Sequence, residues 1–66
     1  MTDVDKSPYV TVYRPVSGWK SVLMTWDEEC GCHLPAQTGF FAHPTKEKAV
    51  IDARMWAEAE DIRLDV

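Results

Sequence analysis

No stretch of this sequence approaches the ~18–20 consecutive apolar residues that a membrane-spanning helix requires. The opening residues MTDVDK lack the basic-then-apolar order of a secretory leader, so a cytoplasmic setting is expected, in which cysteines stay reduced. Basic residues are also few. Seven Lys and Arg stand against eleven Asp and Glu, a formal charge of −4. Phosphate backbones and anionic headgroups are bound by Lys and Arg that neutralise them, so this balance argues against nucleic acid and membrane surfaces as partners. There is no glycine-rich phosphate loop, no H-E-x-x-H and no G-x-S-x-G. The sequence therefore predicts neither an enzyme nor a cofactor.

What is present suits one small domain. A chain of 66 residues buries only about 60% of the surface its unfolded form exposes. Three Trp, two Tyr and two Phe supply enough apolar bulk for a core and argue against disorder. Little is spare for a deep substrate pocket, which needs about 300 Å³ or more.

Residues 1–8 are polar and aperiodic and read as a flexible tail, leaving 9–66 as the domain. Residues 9–14 (YVTVYR) are rich in β-branched and aromatic side chains and predict a strand. Pro15-Val16-Ser17-Gly18 is turn chemistry, and 19–26 (WKSVLMTW) predicts the returning strand. A third strand is expected within 33–42. Pro35 there suggests an edge position or a strand beginning after it, and 37–42 (QTGFFA) is the part expected to pair. Thr45 is a suitable N-cap with Glu47 in the first turn, and 46–61 lacks Gly and Pro, so a helix follows. The alternation in 62–66 (IRLDV) admits a short last strand. The predicted fold is α+β: a three- to four-stranded antiparallel sheet with one amphipathic helix on one face, in the order β-β-β-α with an optional final β.

Helical spacing gathers Ala49, Val50, Ala53, Trp56 and Ala57 into one stripe that should face the sheet. Ile51, Met55, Ala59 and Ile62 form a second line, which either packs under the tail or last strand or stays as an exposed apolar ridge. A four-residue hairpin loop at 15–18 puts Val10, Val12, Trp19 and Leu23 on one face of the sheet. Tyr9, Thr11, Tyr13, Lys20, Val22, Met24 and Trp26 then share the other. One helix covers one face. The aliphatic face is assigned to the helix because Tyr, Thr and Lys tolerate water at their tips. The reverse assignment would turn Arg14, Ser21 and the valines outward, and a one-residue slip of register separates the two.

The one candidate metal constellation is Cys30-Gly31-Cys32-His33 with His43. Thiolate and imidazole are the preferred donors of zinc, but one residue between the cysteines is shorter than the usual two to four. Cys30 or Cys32 with His33 or His43 also supplies the residue types for nucleophilic catalysis, with nothing to fix their geometry. A Cys30–Cys32 disulfide would close a very small ring and is not expected in a reducing compartment.

The stretch Gln37-Thr38-Gly39-Phe40-Phe41, followed by Thr45-Lys46-Glu47-Lys48-Ala49 and Trp56-Ala57-Glu58, resembles short uncharacterised proteins of cyanobacteria and their phages. The resemblance covers roughly the second half of the chain and implies a cytosolic protein, without implying catalytic residues. The element order is also similar to that of small phage-encoded inhibitors of host RNA polymerase, a likeness of layout alone. The expected function is a non-enzymatic, acidic protein-interaction or regulatory module, of the inhibitor or adaptor kind. It would dock a protein partner or a second copy through Tyr9, Tyr13, Lys20, Met24 and Trp26, with Ile51 and Met55 as a further surface. The alternatives are a zinc-stabilised domain using Cys30, Cys32, His33 and His43, or a single-stranded nucleic-acid binder.

Overall fold

The computed structural model describes residues 5–66, so the first four residues of the expected tail lie outside it. Its elements are β1 (Tyr9–Tyr13), β2 (Lys20–Asp27), β3 (Cys32–Thr38), α1 (Lys46–Glu60) and β4 (Arg63–Leu64). They form one α+β unit with a four-stranded sheet in the order β3-β2-β1-β4. Among the described residues no helix is long and apolar enough to cross a membrane.

The first hairpin takes the register that its turn implies. Val10 pairs with Leu23 and Tyr13 with Lys20. The Gly18 N–H donates to the Pro15 carbonyl at 3.1 Å, closing the turn. Gly18 has φ +128°, and a Cβ there would lie 2.8 Å from the His43 carbonyl oxygen. Only glycine meets both conditions. That close approach lets Trp19 and His43 exchange two backbone hydrogen bonds of 2.8 and 2.7 Å, which tie the start of β2 to the segment entering the helix.

Strand β3 departs from expectation. It spans Cys32–Thr38, whereas Phe40 and Phe41, expected to pair, stand 95% and 74% exposed. Pro35 lies within the strand, which is tolerated because β3 is an edge. The register shifts between Leu23 and Met24: Leu23 pairs with Gln37 but Met24 with Pro35, so Ala36 is the extra residue of a bulge. The sheet is also mixed rather than wholly antiparallel. β4 runs parallel to β1, with Tyr9 opposite Arg63 and Val10 opposite Leu64.

The helix begins where its cap predicts. The Thr45 hydroxyl accepts from the Lys48 N–H at 3.4 Å, and Glu47 sits in the positively polarised first turn. It ends at Asp61, in the left-handed region at φ 55°, and the Ile62 N–H donates back to the Ala57 carbonyl at 2.8 Å. Ala49, Ala53 and Ala57 are buried against the sheet, their small side chains allowing close approach. Val10, Ala53 and Ala57 form the core centre, with Val12, Leu23, Trp56, Ile62 and Leu64 packed around them. The helix therefore covers the aliphatic face, the assignment favoured on chemistry. It touches β1, β2 and β4 but not β3.

Candidate functional site

The sheet face opposite the helix divides into two halves. At one end three rings from three strands meet. The His33 ring lies 4.8 Å from that of Tyr9 and 5.2 Å from that of Trp26, the latter pair edge-on at 80°. Residues of the N-terminal segment cover this end. The His33 Nε2–H donates to the Ser7 carbonyl at 2.9 Å, and the Lys6 ammonium stands 5.6 Å from the Trp26 ring centre. From β4, the Arg63 guanidinium lies 5.2 Å from the Tyr9 ring centre and pairs with Asp5. Tyr9 and Trp26 are thus engaged within the chain, each half-buried. The Trp26 indole N–H is buried with no partner among the described residues.

The other half is a depression of about 400 Å³ lined by Thr11, Tyr13, Val22, Met24, Pro35 and Thr38. Its bulge explains the membership. Pro35 and Thr38 are three positions apart, so simple alternation would put them on opposite faces. The extra residue Ala36 returns both to the same side. Val22 forms the floor and is buried, while Tyr13 is 38% exposed at the rim. Lys20, the partner of Tyr13 across the hairpin, lies at the end of the same face.

Of the sequence-predicted residues, Tyr13 and Met24 line this depression, and Tyr9 and Trp26 belong to the covered end. Pro35 and Thr38 were missed, because only the pairing of β3 brings them there. Ile51 and Met55 are 59% and 66% exposed. Since α1 packs on the opposite side of the sheet, they form a surface separate from Tyr13 and Met24.

The chain matches no protein-family model, no curated protein and no solved structure.

The proposed metal donors do not converge. Cys30 and Cys32 are joined to each other in a disulfide, against the expectation of free thiols. Neither therefore offers a thiolate to zinc or to a nucleophilic pair with histidine. His33 is held among Tyr9, Trp26 and Ser7, whereas the His43 Nε2–H donates to Asp52 Oδ2 at 3.3 Å on the helix side. Among the described residues no three His, Cys, Asp or Glu side chains are grouped to hold a metal ion.

Proposed function

We propose that this chain is a non-enzymatic interaction or regulatory module, of the inhibitor or adaptor kind, that docks a protein partner on the helix-free face of its sheet. The observation that carries the reading is the apolar depression of about 400 Å³ bounded by Tyr13, Met24 and Pro35. Aromatic and Met side chains are enriched at the centres of protein interfaces, and Tyr anchors are frequent hot spots. The edge strand β3, which the helix leaves bare, adjoins this surface.

The formal charge of −4 favours a neutral or basic partner over a second copy, because two like-charged copies repel. Site-specific photo-crosslinking in the native cell tests the proposal. A photoreactive phenylalanine analogue replacing Tyr13 should give one discrete adduct, and the same analogue at the fully exposed hairpin residue Val16 should not. Adding Met24→Lys should abolish the Tyr13 adduct while the circular dichroism spectrum is retained. Equal adducts from both positions, or an adduct indifferent to Met24→Lys, would overturn the proposal. An adduct of twice the chain mass would replace the partner with a second copy.

A further inference from the structure

A second hollow lies on the helix side of the sheet, where α1 stops short of β3. It has a volume of about 270 Å³, with Ser21 and Gly39 on the sheet side, Asp52 and Trp56 on the helix side, and Phe40 and Phe41 at its mouth. Ser21 is 1% exposed, and its Oγ has no hydrogen-bond partner among the described residues. A buried hydroxyl in that state is unfavourable, because it has left water without gaining a replacement.

Gly39 keeps the hollow open. Its N–H donates to the Ser21 carbonyl at 2.9 Å, which holds it against β2. A Cβ at position 39 would lie 2.5 Å from Ser21 Oγ and 3.7 Å from Asp52 Oδ2. Any larger residue would fill the space between the hydroxyl and the carboxylate. The hydrogen bond from His43 Nε2 to Asp52 Oδ2 holds the carboxylate on its side of the hollow. The Asp52 side chain is 44% exposed, so its carboxylate is open to a ligand from solvent. The two exposed phenylalanine rings and the half-buried Trp56 supply aromatic faces beside this polar pair.

From this arrangement we infer that the hollow receives a guanidinium group, presented as an arginine side chain by a protein segment. The ligand must carry positive charge for Asp52. It must also spread several N–H donors so that one set reaches the carboxylate and another reaches Ser21 Oγ. A flat face that stacks on aromatic rings completes the match. Guanidinium meets all three requirements, whereas the lysine ammonium is a compact, strongly hydrated point charge. The net negative charge of the chain draws a cationic segment toward the site. This hollow and the depression beside Tyr13 share Thr38 at the β3 edge but open on opposite sides of the sheet. The groups used here (Ser21, Asp52 and the aromatic rings) line this hollow and not that one, so the inference stands independently of the reading above.

Amide-resolved NMR of the full chain provides the test, with N-acetyl-arginine N-methylamide as probe. The lysine analogue and the neutral isostere N-acetyl-citrulline N-methylamide serve as comparisons. The arginine probe should give saturable millimolar shifts at Ser21, Gly39, Phe40 and Phe41. The lysine probe should bind about threefold or more weakly, and the citrulline probe about tenfold or more weakly. Asp52→Asn should weaken arginine binding about tenfold, and Phe40→Ala about threefold. The inference is overturned if the arginine probe gives no saturable shifts, if citrulline or lysine matches it, or if the shifts map to Tyr13 and Met24. Should Asp52→Asn disturb the whole spectrum, Phe40→Ala decides alone, since its ring stands in solvent; unchanged affinity there also overturns the inference. None of these results bears on crosslinking at Tyr13, so failures of the two proposals are distinguishable.

Discussion

Val10 of β1 pairs with Leu23 of β2 on the side of the sheet that α1 covers. That pairing orients everything else: alternate residues counted from Val10 in β1 and from Leu23 in β2 face the helix, and Tyr9, Thr11, Tyr13, Val22 and Met24 turn away from it. A slip of one residue would exchange the two sets.

Val10 is fully buried beneath Ala53 and Ala57, where truncation removes contacts that the neighbours cannot replace. Val10→Ala is expected to lower unfolding free energy by about 2 kcal/mol, from two lost methyl groups and the resulting cavity. Met55→Ala, at an exposed position, should change it by less than about 0.5 kcal/mol. Urea denaturation of both variants checks the contrast, and equal losses would contradict the assignment of the faces.

Gly18 combines a positive φ with a close approach to the His43 carbonyl. Gly18→Ala should therefore cost about 1–3 kcal/mol, through left-handed strain and displacement of the His43 backbone. The local readout is hydrogen exchange. The Trp19 and His43 amides, which bond to each other's carbonyls, should lose protection first.

Asp5 accepts from both the hydroxyl and the backbone N–H of Ser7, and Arg63 lies against its other oxygen. The Ser7 hydroxyl bond foremost, then the Ser7 N–H, then Arg63, hold its carboxyl below the ordinary value of 3.8. A carboxyl lowered by folding contributes stability that is complete above its unfolded pKa and is lost as pH falls through the folded one. The window is therefore acidic, from about 3.8 downward. An NMR titration should place the Asp5 midpoint below 3.8, and Ser7→Ala should move it upward. Unfolding of Asp5→Asn and the natural chain should converge as the pH falls through this window.

Several elements could be read directly because their causes are local. Thr45 caps α1 through a hydroxyl three residues from its donor, and Ala49, Ala53 and Ala57 share a face by helical spacing alone. Pro15 and Gly18 close a turn whose length sets the register of β1 on β2. β3 was legible only in part. Pro35 suggests an edge position or a strand beginning after it, and β3 takes the edge. Its extent was not legible, because Phe40 and Phe41 look more strand-like than Cys32, His33 and Pro35.

Residue chemistry and spacing thus accounted for an α+β chain with a two-stranded hairpin, one capped helix and an aliphatic side for the core. Those properties follow from turn geometry, helix period and strand alternation, each of which spans only a few neighbours. The parallel pairing of β4, the Ala36 bulge that turns Pro35 and Thr38 to one side, and the meeting of Tyr9, Trp26 and His33 depend on segments far apart in the chain. Long-range packing selects such partners from many that local preference would allow, so these contacts arise only once the sheet is assembled.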